Sequence, residues 1–377
     1  MQDKQLNLFG RKENCPFKTF LDEDDDQCLY LGGNSGSYDI LDEEHPELPN
    51  YLADIGNVGF DDVIAKSIKN LQLPLFIPTI PRGSQKILQG NPVPWVAVSL
   101  AKIVRVDKRG NLKVVEDIRK RLGVSCETKI ILMLYGKDHL IEKLWTHRRN
   151  AFLDIAKLNV DLVTGVNYSI WFDHPHPERL VNLKRSLITF EELQDLGITT
   201  VPHIYWYGKR DLERASDWIK QNKVISHIAI NLQTERTNKN QNWDKIVSDL
   251  AFFESNINRP IHFLINGPSR PERINQLKAV LPNLHVSTSY PAVQAARGFL
   301  IYHDQKKLFT THSTLPKGSI MRHNLEVYGN FMKKTSYSDS HPNSHSPSAP
   351  YRPSKSSHSP AALPENHSAP WPANYSH

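Results

Sequence analysis

Asp173 and His174 stand together in Trp-Phe-Asp-His-Pro-His-Pro-Glu and are the pair best suited to acid–base chemistry. Aromatic residues just ahead of them exclude water, which raises a carboxyl pKa, and the adjacent imidazole titrates near neutrality. The same aspartate can instead cap a following helix. A second group is cationic. Arg82, Lys137, Arg236 and Arg270 each follow an apolar run, and such cations suit phosphate, the guanidinium as a two-pronged fork. Salt bridges between loops would use the same residues. Gln233 and Asn266 add amides at equivalent places, and Gly267 in Ile-Asn-Gly-Pro-Ser-Arg precedes a helix start whose amides favour anions. Asp138, His139, Glu235, Ser269 and Ser289 occupy similar positions. Tyr205, in Tyr-Trp-Tyr, can stack a base or fill a core. His203, His227 and His262 lie inside strand-like runs, where a packed layer histidine is the expectation. No metal set is complete, and no cofactor is indicated.

These residues need elements to hold them. Short β-branched runs alternate with amphipathic stretches of helical period, and the strand windows 75–80, 95–100, 129–135, 161–172, 199–207, 226–232, 260–265 and 284–289 number eight. Helical stretches between them include 140–158, 178–197, 210–222, 242–255 and 270–282, with Asn242 as an N-cap and Gly197 just past a C-terminus. Strands apolar on both faces and followed by crossover helices belong to a parallel sheet. Eight units over residues 71–300 predict an α/β fold, a (β/α)8 TIM-like barrel with its working residues past the strands' C-terminal ends. An open doubly wound sheet would need a glycine-rich turn after the first strand, where Thr-Ile-Pro-Arg-Gly-Ser offers one glycine.

Flanking segments differ in composition. Residues 1–20 read as a flexible tail and 21–70 as an acidic extension carrying Asp-Glu-Asp-Asp-Asp at 22–26, while 301–333 are expected to cap the barrel. Residues 334–377 are rich in Ser, Pro and His and are expected to be disordered; their five histidines, His341, His345, His358, His367 and His377, would hold metal weakly at most. The 377 residues carry a net charge of +6, a mild bias towards polyanions. Three widely spaced cysteines encode neither a disulfide framework nor a four-ligand zinc site. Without a spanning apolar run or a secretory signal, the expectation is a cytoplasmic protein with no membrane partner.

Four resemblances bear on function. The stretch Val-Asn-Tyr-Ser-Ile-Trp-Phe-Asp-His-Pro, with Gly-Ile-Thr-Thr-Val-Pro-His-Ile-Tyr-Trp and the run up to about residue 235, resembles an uncharacterised domain family of phages, plasmids and other mobile elements. That implies a setting in DNA metabolism. A fold-level likeness to the barrel transglycosylases that exchange guanine for a deazaguanine would make Asp173 a nucleophile, but their zinc-binding cysteines are absent. His-Pro-His is similar to the His-x-His of metal-dependent hydrolases, although prolines interrupt it and it falls on the wrong strand. Most specific is Gln5-Leu6-Asn7-Leu8-Phe9, which resembles the peptide by which bacterial replication and repair proteins dock on the DNA polymerase sliding clamp. Gln5, Leu6, Leu8 and Phe9 match its pattern, and apolar anchors on a short tether gain affinity at low ordering cost. The same side chains can instead staple the tail to its own domain. The resulting expectation is a clamp-recruited DNA-metabolism protein whose barrel binds DNA or nucleotide phosphates and acts on a base or phosphodiester. The alternatives are a stand-alone barrel enzyme acting on a phosphorylated or sugar-like molecule, and a non-catalytic replication or maintenance factor.

Overall fold

The computed structural model describes residues 48–68, 71–81, 88–90, 93–108, 111–169, 176–233, 240–304 and 307–334. Gln5, Leu6, Leu8, Phe9, Arg82, Asp173, His174, Glu235, Arg236 and the C-terminal tail lie outside these residues.

Parallel strands alternating with helices make the fold α/β. Strands β1 (Phe76–Pro78), β2 (Trp95–Ser99), β5 (Lys129–Met133), β6 (Leu162–Thr164), β7 (Thr200–Val201), β8 (His227–Asn231), β9 (His262–Asn266) and β10 (Leu284–Thr288) are all parallel to their neighbours. They form two four-stranded sheets, ordered β1-β10-β9-β8 and β2-β5-β6-β7. One continuous closed eight-stranded sheet, as the sequence pattern predicts, is not formed. Between the sheets, single bridges are the only pairing among the described residues, Thr79 with Ala97 and His203 with Ala229.

A proline at each seam explains the gap. Thr79 donates to Thr288 of β10 while Ile80 donates to Ala97 of β2, so Pro78, two residues before Ile80, faces β2 as well. Ile204 donates to Ala229 of β8, and Pro202 accepts from Ala229, so Pro202 faces β8. Each proline lacks the N–H that would extend pairing across its seam.

Strand side chains divide into two buried sets by the period-two rule. Val96, Val98, Ile130, Leu132, Ile228, Ile230, Phe263, Ile265 and Val286 pack with the helices. Ile77, Ala97, Ile131, Met133, Leu162, Val201, Ala229 and Leu264 pack together on the opposite faces, so a second core draws on strands of both sheets.

The helices are α1 (Leu48–Ile55), α2 (Leu100–Ile103), α3 (Ile118–Leu122), α4 (Asp138–Lys157), α5 (His176–Asp195), α6 (Lys209–Gln221), α7 (Asn240–Ile257), α8 (Pro271–Val280), α9 (Tyr290–Ala296) and α10 (Lys317–Lys334). Gly197 ends α5 as its position suggests: at φ +75° it donates to Gln194, and Ile198 donates to Leu193, the paired bonds of a Schellman turn. Asn242 is not an N-cap, because α7 begins two residues earlier at Asn240. Antiparallel hairpins β3–β4 (Val104–Val106, Leu112–Val114) and β11–β12 (Phe299–His303, Leu308–His312) complete the described elements. Among the described residues, no helix is long and apolar enough to cross a membrane.

Helix α1 is held by a cation. The buried Arg185 guanidinium on α5 lies 3.9 Å from the Tyr51 and Tyr168 ring centres and 4.7 Å from that of Trp145, while Nη2 reaches Glu142 at 2.6 Å. Stacked rings and a paired carboxylate offset the cost of burying the charge.

Candidate functional site

The C-terminal ends of the parallel strands line two adjoining cavities of about 710 and 410 Å³, which share Thr79, Gln233 and Ser289. The larger lobe is bounded by Tyr135, Lys137, Asp138, His139, Asn167, Ser169 and Tyr205. The smaller is bounded by Asn266, Gly267, Ser269, Arg270, Arg273 and Arg297, and no Asp or Glu is among the described residues lining it.

Beneath both lobes runs a chain of side chains that crosses four strands. Thr79 Oγ1 donates to Ser287 Oγ at 3.3 Å, Ser287 Oγ donates to Asn266 Oδ1 at 2.8 Å, and Asn266 Nδ2 donates to Asn231 Oδ1 at 2.8 Å. The Gln233 backbone N–H donates to that same Asn231 oxygen at 3.1 Å. A backbone N–H can only donate, which fixes the Asn231 amide so that its NH2 is the group not used in the chain. All four side chains are buried. Tyr135 bonds Asn266 from the side, and burial pushes its phenol pKa up despite that bond. A buried polar chain satisfied along its length is rigid and presents the same groups at any ordinary pH.

One glycine sets the approach of the loops. Gly267 sits at φ +116°, and a Cβ there would stand 2.6 Å from the Gln233 nitrogen. Only glycine lets the turn after β9 lie against the end of β8. The Arg270–Pro271 start of α8 then faces the smaller lobe with no side-chain cap on its first amides. Arg273 lies 4.4 Å over the Trp243 ring, which limits where its guanidinium can go. In the larger lobe Ser169 Oγ donates to Asp138 Oδ1 at 2.5 Å, tying the end of the β6 strand region to the start of α4.

Among the residues expected at strand ends, Lys137, Tyr205, Gln233, Asn266 and Arg270 are brought to this cleft, along with Asp138, His139, Ser269 and Ser289. Tyr207 is turned away, exposed and stacked under Arg179 at 3.9 Å. Arg82, Asp173, His174, Glu235 and Arg236 lie outside the described residues, although Asn167 and Ser169, which precede the Asp173 segment, line the larger lobe. Arg273 and Arg297 escape a strand-end rule because one lies within α8 and the other follows α9. Their only sequence signal is a recurrence of arginine in the helices flanking β10.

His203 lies beside a strand and His227 and His262 lie within strands, His203 and His227 buried and His262 half-buried. His203 is buried with Nε2 unpartnered, and burial lowers its pKa to about 3. His227 and His262, however, come together with His285 at the opposite, N-terminal ends of β8, β9 and β10. No protein-family model and no curated protein matches this chain.

Proposed function

We propose that this chain is a (β/α)8-type protein, open at two proline seams, that binds a nucleotide-sized phosphorylated ligand in the cleft at its strand C-termini. Arg270, Arg273 and Arg297 around a lobe with no Asp or Glu among its described lining residues carry this reading, because a concavity lined by several guanidinium groups favours an anion. The lobe is built by the loops after the seventh and eighth parallel strands and a short helix, the usual place for phosphate in such barrels. Single bridges at both seams and an inner apolar core shared by the two sheets support the barrel architecture.

In this reading the arginines hold phosphate, the fixed Asn231 amide and Gln233 contact the sugar or base edge, and Tyr135 and Tyr205 bound the ring. Asp173 and His174, four and five residues beyond Ser169 in the sequence, act as acid and base. Titrating the full chain calorimetrically with a nucleoside monophosphate, its nucleoside and inorganic phosphate tests the site. The nucleotide should bind most tightly, and Arg270→Ala with Arg297→Ala should weaken it at least ten-fold. Equal affinity for nucleotide and nucleoside would remove the reading.

A second reading rests on Gln5-Leu6-Asn7-Leu8-Phe9. In it the tail recruits the domain to the sliding clamp, and the phosphates in the cleft belong to DNA. Purified clamp should retain the full chain and lose a Leu8→Ala, Phe9→Ala variant, and single-stranded oligonucleotide should bind with a steep salt dependence. Equal retention of both chains would leave recruitment without a basis.

A further inference from the structure

Side chains at 227, 229 and 231 of β8, at 262, 264 and 266 of β9, and at 285 and 287 of β10 point to one side of their sheet. Their C-terminal members, Asn231, Asn266 and Ser287, make the cleft floor. Their N-terminal members are three histidines. His227 pairs in register with His262, and the rings of His227 and His262 stack at 4.4 Å with those of His262 and His285 at 5.2 Å. One nitrogen from each lies within 4.8 Å of the others.

Fixed acceptors assign the protons. The Pro74 carbonyl can only accept, so His285 carries hydrogen on Nδ1, 3.1 Å away, and leaves a lone pair on Nε2. His262 Nδ1 then donates to that nitrogen at 2.9 Å, which leaves His262 Nε2 with a lone pair. His227 Nδ1 lies 2.9 Å from Ser226 Oγ, and its buried Nε2 makes no hydrogen bond of good geometry, although the Leu71 backbone lies close enough to interact with the ring. Pro74 holds His285 and Ser226 holds His227 by Nδ1, the arrangement in which a partner on one nitrogen orients the other towards metal, and His285 Nε2 can bind an ion by exchanging its hydrogen bond from His262 Nδ1 for the metal bond.

We propose that His227, His262 and His285 bind one zinc ion at the end of the strands opposite the anion cleft. An all-imidazole donor set suits zinc and its neighbours among the d-block cations and does not suit magnesium or calcium. Imidazole nitrogens bound at ~2.0–2.1 Å in a tetrahedral shell are about 3.4 Å apart, so the rings must turn and close by a little over an ångström. His262 is half-buried and gives the ion its entrance, with the fourth position left to solvent. Burial holds His227 and His285 neutral, with pKa values of about 4, so no proton need be displaced at neutral pH. The bound ion would tie β8, β9 and β10 to the Leu71–Pro74 segment, since Pro74 already anchors His285.

The test uses the untagged full chain, stripped with chelator and titrated with cobalt(II), whose visible bands report tetrahedral coordination. One equivalent should give those bands and zinc should displace them. A chain with His341, His345, His358, His367 and His377 changed to serine should keep them, which separates the trio from the tail. His262→Gln, at the most exposed and least structural member, should lower zinc affinity at least ten-fold while far-UV circular dichroism stays unchanged. His227→Asn should do the same. Should His227→Asn fail to fold, His262→Gln still decides. Equal cobalt spectra in wild type and His262→Gln, or loss of the bands with the tail histidines, would overturn the site.

Discussion

The two ends of β8, β9 and β10 carry the same row of side chains and do opposite things with it. At the C-terminal end Asn231, Asn266 and Ser287 bond one another and cannot titrate. At the N-terminal end His227, His262 and His285 stack, share a single hydrogen bond between rings, and are kept neutral only by their surroundings. Ala229 and Leu264 separate the two ends in the inner core. One end is therefore fixed by complementarity of neutral donors and acceptors, and the other is poised by desolvation. Conditions that charge imidazoles should act on one end and spare the other.

Acid provides the largest break in this comparison. Burial, with the neighbouring rings, depresses His227 and His285 to about 4, and burial depresses His203 to about 3. A depressed histidine pKa means the unfolded chain binds the proton first, so the stability is fully present above about 6.5 and is lost as pH falls towards 4. The loss should be on the order of 2 kcal/mol per buried histidine by pH 5. Urea unfolding at pH 7 and pH 5 measures it, and His203→Gln should recover part of the difference. A midpoint unchanged over that interval would mean that the rings are charged or solvated in the native state.

Gly267→Ala strikes the other end. The added methyl would clash with the Gln233 backbone at a positive φ, which should cost ~2–4 kcal/mol. Nucleotide affinity should fall with it while cobalt binding by the folded fraction persists. Asn266→Ala is milder, about 1–3 kcal/mol, because it strips Ser287 of an acceptor and Asn231 of a donor in a buried chain. Its signature is weakened anion binding with an unaltered acid limb. If Asn266→Ala flattened the acid limb instead, the two ends would be coupled through the core.

Much of this arrangement is legible in the sequence, and the missing parts have a common cause. Seven of the eight parallel strands fall inside the expected windows, and β9 runs one residue past its own, because buried parallel strands are contiguous apolar β-branched runs. Tyr205, Gln233, Asn266 and Arg270 reach the cleft because each follows such a run. Pro78 and Pro202 were visible, yet their effect on sheet closure depends on which neighbour each faces, a matter of register. Register also hides the histidine trio: His285 becomes a neighbour of His262 only once β10 is aligned on β9, and no spacing along one strand encodes that. The hairpins β3–β4 and β11–β12 are short and largely exposed, so their sequences lack the apolar contrast from which strands are recognised.

Ser226→Ala gives the smallest effect and the sharpest separation of the two ends. Ser226 Oγ is the hydrogen-bond partner of His227 Nδ1, so its removal costs about 0.5–1.5 kcal/mol, the net value of one such bond. Nothing in the cleft touches it, so nucleotide affinity should hold within two-fold. At the histidine end the ring loses what orients Nε2 towards its neighbours, and cobalt affinity should fall several-fold while the tetrahedral spectrum is retained. Threonine at this position restores the hydroxyl and should restore the affinity. A variant that lost stability but kept full cobalt affinity would show that Ser226 merely satisfies a buried ring, and that the stacking of His227 on His262 alone sets its orientation.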